Sequence, residues 1–204
     1  MKFITKNTRL GLVCLALCAV ILSGCQEGDG DADYGFPVVY IPQAAVTGLN
    51  NHYPVPWGSG ENTYNFKVDT LANGTPDKLQ VILGVSRAGK ISGAGGFVVN
   101  VNVLSEMTND AVAELEDEDE DALPMPSGMY SLPGKASVEA GKISSQYYLT
   151  VDVEKLIDGS YDGKKLVLAI GISDPTNGFE LSVEADTSVV VVIDVEEMRP
   201  FLIL

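Results

Sequence analysis

The stretch TYNFKVDT, residues 63–70, alternates apolar and polar side chains with a period of two. Phe66 and Val68 fall on one face and Asn65 and Lys67 on the other, which is the pattern of a half-buried β-strand. Five further stretches repeat it, and two weaker ones follow: LQVILGV (79–85), FVVNVNV (97–103), QYYLTVDV (146–153), KLVLAIGI (165–172), SVVVVIDV (188–195), and the weaker 38–41 and 129–132.

Turn-forming residues separate these predicted strands. Gly, Asn and Asp accept positive φ angles, and Pro sets φ for the first central position of a turn. Helical patterns are short and occur only at 109–115 and 153–157. Many strands, regular turns and little helix predict an all-β fold, an antiparallel β-sandwich in one domain over residues 37–199 with a C-terminal tail at 200–204.

The N-terminus has the pattern of an export signal. A basic start precedes the apolar stretch 10–22, which is too short for a membrane span. The tetrapeptide that closes it, Leu22-Ser23-Gly24-Cys25, resembles the bacterial lipobox. That resemblance implies cleavage before Cys25 and acylation of its thiol and amino groups, so residues 1–24 are a predicted signal peptide. Several acyl chains anchor stably, since each buried methylene contributes about 0.8 kcal/mol. The alternative is a soluble secreted protein.

Four acidic residues follow the cysteine, interleaved with small residues: Glu27, Asp29, Asp31 and Asp33. This composition cannot bury a core, so residues 25–36 are predicted to form a flexible tether. The segment also resembles the acidic signal that sends Bacteroidetes lipoproteins to the outer face of the outer membrane. A plain solvated spacer is the alternative. The aspartate spacing suits an EF-hand calcium loop, but Tyr34 and Tyr40 occupy its required Gly and Glu positions.

Cysteine and charge counts narrow the function classes. Cys25 is the only cysteine after the signal, so neither a disulfide nor a cysteine metal site is available. The chain has 28 acidic and 13 basic residues, and three of the basic residues precede Cys25. From Cys25 onward, 28 acidic and 10 basic residues remain, which gives a net charge of −18. This charge argues against binding of nucleic acid or of an anionic bilayer by the folded domain.

Catalytic chemistry has little support in the sequence. His52 is the only histidine, and the nucleophile-elbow, phosphate-loop and zinc-protease motifs are absent. We therefore predict a protein that is not an enzyme and needs no cofactor. The acidic run 114–121 is predicted to be a solvated, self-repelling loop, and a weak calcium site there remains the alternative.

The segment NNHYPVPWGSGENTY, residues 50–64, contains the only tryptophan and the only histidine. Its two prolines and two glycines argue against regular strand pairing and predict a loop at one end of the sandwich. Aromatic rings can cover the apolar C–H face of a sugar, and amide and carboxylate groups can bond its hydroxyls. The candidate glycan-binding residues are Trp57, Tyr53, Asn50, Asn51 and Glu61. The alternative is that Trp57 and Tyr53 fill the open end of the core.

Several characteristic motifs run from residue 38 to 195 and include VYIPQA, HYPVP, LGVSRAGK, MYSLP, VEAGKISSQYYLTVDVEKL and GKKLVLAIGISDPTNGFEL. Together they resemble the Bacteroidetes lipoprotein family known as domain of unknown function 1735. The resemblance implies an immunoglobulin-like sandwich on surface lipoproteins that are often encoded with outer-membrane glycan-uptake machinery. We therefore expect a lipid-anchored protein on the cell exterior that captures glycans directly or as a partner of an uptake complex. The alternative is a structural spacer or adhesin-like subunit that contacts proteins and no sugar.

Overall fold

Twelve strands form two six-stranded sheets in the computed structural model, which describes residues 37–46, 51–58, 64–89, 95–183 and 185–203. Sheet 1 contains β1 (Val38–Tyr40), β3 (Phe66–Thr70), β4 (Pro76–Arg87), β7 (Tyr130–Ser131), β9 (Ser144–Asp152) and β11 (Glu180–Leu181). Sheet 2 contains β2 (His52–Val55), β5 (Phe97–Val103), β6 (Ala122–Pro124), β8 (Lys135–Val138), β10 (Lys165–Ser173) and β12 (Ser188–Asp194). Four helices complete the described elements: α1 (Pro42–Val46), α2 (Ser105–Asp117), α3 (Val153–Leu156) and α4 (Val195–Leu202).

Each sheet has one long strand that pairs with two other strands, one after the other, along the same edge. In sheet 1 the order is β11-β1-β4-β9-β7, and β3 shares the free edge of β4 with β1. In sheet 2 the order is β2-β12-β10-β5-β8, and β6 shares an edge of β10 with β5. Most ladders are antiparallel, as predicted. The short pairs β1–β11, β2–β12 and β6–β10 are parallel, so both sheets are mixed.

The alternating residues of both sheets meet in one core, which confirms the β-sandwich. In β4 the fully buried apolar side chains fall at every second residue, Leu79, Val81, Leu83 and Val85. The same period holds in β9 and β5. Because burial of apolar area contributes roughly 25 cal/mol per Å2, this two-sided layer is the main stabilising feature of the domain.

Helix α2 covers the outer face of sheet 2. Its side chains Ala111, Val112 and Leu115 pack on a second apolar cluster, to which β10 and β12 contribute Val167, Ala169, Val190 and Val192. Strands β10 and β12 are therefore buried on both faces, which explains why their sequences are almost continuously apolar. The predicted helix at 109–115 is part of this longer element.

Residues of α1 and α2, with Leu104 just before α2, close the gap between the two strands that share an edge in each sheet. Between β3 and β1, the Gly84 N–H donates to Gln43 Oε1 at 3.0 Å. Between β6 and β5, the Ala169 N–H donates to Thr108 Oγ1 at 2.9 Å, and the Leu104 N–H donates to the Ala169 carbonyl at 2.9 Å. These bonds satisfy the Gly84 N–H and both backbone groups of Ala169 where no strand is paired.

Two segment boundaries differ from the sequence predictions. Residues 200–202 are not a tail, because α4 continues through them and the Leu202 side chain is only 2% exposed. The acidic run 114–121 is not wholly a loop, since α2 extends to Asp117 and includes Glu114 and Glu116. Among the described helices, none is both long and apolar enough to cross a membrane.

Candidate functional site

The predicted loop 50–64 begins with a strand, contrary to the sequence prediction. Residues His52–Val55 form β2, which pairs in parallel with β12 and places Pro54 opposite Val192. Because β2 lies at the edge of sheet 2, the missing N–H of Pro54 is tolerated. The strand directs Tyr53 and Val55 into the core.

Tyr53 is a core residue in this arrangement. Its side chain is 5% exposed and belongs to the main apolar cluster. The hydroxyl donates to the Ile82 carbonyl at 3.4 Å. Burial raises the pKa of the Tyr53 phenol, and a hydrogen bond with the Asn65 side chain partly opposes that shift. For Tyr53, the alternative that it fills the end of the core is correct.

Trp57 occupies a different environment from Tyr53. Its side chain is 45% exposed, and its ring meets the Tyr53 ring edge-on, with centroids 6.1 Å apart and planes at 78°. This edge contact supports the indole from below while part of it faces solvent. The two aromatic residues that the sequence treats as one platform are therefore a buried support and an exposed ring.

Asn65 fixes the turn that carries Trp57. Its Oδ1 accepts from the Trp57 N–H at 2.8 Å, and its Nδ2 donates to the Pro54 carbonyl at 2.7 Å. Its own backbone N–H donates to the Trp57 carbonyl at 3.0 Å, and its carbonyl accepts from the Ile82 N–H at 2.9 Å. Asn65 is only 8% exposed, so its predicted place on the polar face is wrong. This residue was not a sequence candidate.

An open groove lies beside the Trp57 indole, lined by Tyr53, Trp57, Gly58, Tyr64, Asn65 and Ile82. The ring of Tyr64 packs edge-on against Phe201 of α4, with centroids 5.0 Å apart, and also contacts Phe66 at 5.3 Å. These contacts hold Tyr64 in place at the groove. The groove thus presents aromatic and apolar surface on a framework of strands and satisfied backbone bonds.

Of the remaining predicted glycan-binding residues, Asn51 is the one that lies within the described ranges, and it is not beside Trp57. Asn51 precedes β2 with a φ of +53°, and its carbonyl accepts from the Val190 N–H at 2.9 Å. The four strand residues between Asn51 and Pro56 span roughly 13 Å, which separates Asn51 from Trp57. Several candidates lie outside the described residues: Asn50, Glu61, Cys25, Glu27, Asp29, Asp31 and Asp33.

His52 lies on the α2 side of sheet 2, away from the groove. Its Nε2 is 3.6 Å from Glu114 Oε2, and it is opposite Val190 of the outer cluster. Within the described ranges, no three His, Cys, Asp or Glu side chains are grouped closely enough to hold a metal ion. The described part of the chain therefore provides no geometric support for the calcium alternative at 114–121.

No protein-family profile and no curated protein matches the chain. Among similar solved structures, a Bacteroides ovatus protein described as a "putative carbohydrate binding protein" has 13% identity and a TM-score of 0.47 over 78% of this chain and 37% of that chain. A Bacteroides ovatus multidomain protein including domain of unknown function 1735 has 15% identity and a TM-score of 0.45, over 72% and 40%. The apo Calx CBD1 domain has 15% identity and a TM-score of 0.41, over 76% and 96%.

These similarities concern the fold. A structure that includes domain of unknown function 1735 is among them. The chain spans less than half the length of the two Bacteroides proteins.

Proposed function

We propose that this chain is a lipid-anchored protein of the outer cell surface whose β-sandwich captures glycan at the groove beside Trp57. The observation that carries the proposal is the half-exposed Trp57 indole, supported from below by Tyr53 and bordered by Tyr64. Large apolar side chains at a solvent-facing groove commonly mark binding sites. The lipobox, the acidic tether and the family resemblance support the location and the ligand class.

The first test is the substitution Trp57→Ala. We expect the variant to lose retention in native gels containing xylan, mixed-linkage β-glucan or galactomannan, whichever retains the wild-type domain. The affinity should fall at least about tenfold, which corresponds to about 1.4 kcal/mol. The variant loses the apolar area that the indole buries and also the roughly 1 kcal/mol that an aromatic contact contributes beyond that area. Trp57 lies outside the buried core cluster, so the variant should still unfold cooperatively in urea.

A matched control is Ile143→Ala, which removes another exposed apolar side chain, 59% exposed, from the connection between β8 of sheet 2 and β9 of sheet 1. This control should bind like wild type. Because Trp57 is the only tryptophan, acrylamide quenching of its emission reports on the site directly and should decrease when glycan binds. If no polysaccharide is retained, or if Trp57→Ala is retained unchanged, the structural or adhesin-like alternative replaces the proposal.

The anchor has its own test, the substitution Cys25→Ala in the full chain. We expect complete loss of palmitate labelling and accumulation of unprocessed precursor, since Cys25 is the only cysteine after the signal. The comparison variant, in which the four acidic tether residues become alanine, should remain labelled but become inaccessible to protease added to whole cells. Continued palmitate labelling of Cys25→Ala would exclude a lipobox. Full protease accessibility of the tether variant would mean that the acidic segment is a spacer with no sorting role.

A further inference from the structure

The groove beside Trp57 continues onto the outer face of sheet 1. A second groove, lined by Tyr64, Phe66, Lys67 and Ile82, shares Tyr64 and Ile82 with the first. A third hollow lies farther along β4 and β9 and includes Lys78, Thr150, Asp152 and Ser131. From Ile82 to Lys78 the path follows β4 for about 14 Å, at 3.4 Å per residue. The first two hollows are therefore continuous, and the third lies farther along the same strands.

Strand register fixes the order of side chains along this line. Ile82 is opposite Tyr148, Gln80 is opposite Thr150, and Lys78 is opposite Asp152. All six alternate with the buried residues of β4 and β9, so they project outward and are partly exposed. We name these six side chains with Trp57 and Tyr64 the outer track.

The outer track changes in character along its length. The end at Trp57, Tyr64 and Ile82 is aromatic and aliphatic. Farther along, the Tyr148 hydroxyl lies 3.4 Å from Lys67 Nζ, which also lies 5.4 Å from the centroid of the Tyr148 ring. Gln80 and Thr150 then add an amide and a hydroxyl. Such a surface suits a polymer that carries both apolar C–H faces and hydroxyl groups.

The charges of this face are balanced. Three lysines and three aspartates lie at this face: Lys67, Lys78, Lys155, Asp69, Asp77 and Asp152. Lys78 pairs with Asp152 at 3.2 Å and with Asp77 at 3.6 Å, the Gln80 amide donates to Asp69 at 2.5 Å, and Lys155 Nζ donates to the carbonyl of Gly128 at the third hollow at 2.6 Å. Three positive and three negative charges cancel, whereas the chain after the signal has a net charge of −18. Charges farther away are screened beyond about 8 Å at physiological salt, so this face is complementary to an uncharged ligand.

We propose that the outer track binds an internal stretch of a neutral, linear glycan lengthwise. This inference rests on the proposed function and specifies its ligand: a chain several sugars long, recognised without its ends. Trp57 stacks on one sugar, and the Tyr148 hydroxyl, Gln80 and Thr150 bond hydroxyls of the following ones. The site extends over a rigid sheet rather than over loops at the end of the sandwich.

The experiment measures the affinities of oligosaccharides prepared from the retained neutral polysaccharide. We expect the hexasaccharide to bind at least about tenfold more tightly than the disaccharide. Borohydride reduction of the chain end should leave the affinity of the hexasaccharide unchanged. Tyr148→Ala should weaken the hexasaccharide about fivefold or more, and the disaccharide, held at Trp57, less than about twofold. Thr150→Ala provides a second variant on the same face, and Ile143→Ala is the control.

Three outcomes overturn the inference while leaving glycan capture intact. They are equal affinity for the disaccharide and the hexasaccharide, loss of binding on end reduction, and wild-type affinity for the hexasaccharide in both Tyr148→Ala and Thr150→Ala. If polygalacturonate is retained in preference to the neutral polysaccharides, the inference that the ligand is an uncharged glycan is wrong. Failure of every polysaccharide to bind is a different result, because it removes the proposed function itself.

Discussion

Ile193→Ala should cost about 2–5 kcal/mol of unfolding free energy, the largest loss expected of any single truncation considered for this chain. Ile193 is fully buried in β12, where it is opposite Leu166 of β10 and Val55 of β2. Its inward face belongs to the main core, and the neighbouring Val192 faces the α2 cluster. Since the strand is covered on both faces, little of the cavity can be filled by relaxation.

Urea unfolding followed by circular dichroism measures this loss. Ile143→Ala is the matched control, because the same atoms are removed from an exposed site and the change should stay within about 0.5 kcal/mol. Ile193→Val should lie between the two, at about 0.5–1.5 kcal/mol. A transition midpoint for Ile193→Ala close to wild type would place β12 outside the core and contradict the described packing.

The long strands are predictable because their burial pattern is local. In β4, β9 and β5 every second residue faces the core, so alternation alone identifies both the strand and its inward side. Strands β10 and β12 are identified by apolar runs that a single solvated face would not need. The outer faces of β10 and β12 are buried because α2 packs on them. The helical pattern at 109–115 is visible in the sequence, but nothing in it indicates which sheet the helix covers.

The short strands depend on partners far away in the sequence. Strands β2, β6, β8 and β11 have two to four residues each, too few to show a period. In β2 the only inward-facing residues are Tyr53 and Val55, which are too few to show a period. Pro54 between them predicts a loop, because proline is tolerated in a strand only at the edge of a sheet. The parallel pairing with β12 supplies the missing information, and it exists only once the sandwich has formed.

In the candidate site, too, some features are visible in the local sequence and others depend on strand pairing. Composition alone selects the segment with Trp57 and Tyr53, but the register of β2, with Tyr53 opposite Val191, determines which ring is buried. The outward residues of the outer track occupy polar-face positions of predicted strands, and strand pairing brings them side by side. For Asn65, the available signal is an asparagine just before a strand and after a Pro-rich turn, a position where side-chain amides often bond backbone groups.

Asn65→Ala should destabilise the domain by about 2–4 kcal/mol and disturb Trp57 as well. The alanine variant loses two short side-chain bonds and leaves the Trp57 N–H and the Pro54 carbonyl without those partners. A buried polar group without a partner costs about 1–3 kcal/mol. Asn65 and Tyr53 also line the groove together, and Tyr53 supports the indole ring, so the loss of the Asn65 side chain affects both the turn and its base.

The measurement combines urea unfolding with acrylamide quenching of the single tryptophan. In folded Asn65→Ala, Trp57 should be quenched more readily and glycan affinity should fall, although Trp57 itself is unchanged. Asn102→Ala is the matched control: its amide donates to Ser173 Oγ at 3.0 Å on an exposed part of β5, so its stability should change by less than about 0.5 kcal/mol. If Asn65→Ala lowers stability but leaves quenching and glycan affinity at wild-type values, Asn65 stabilises the sandwich without positioning Trp57. In that case the indole is held by its contact with Tyr53, and the site does not depend on the turn.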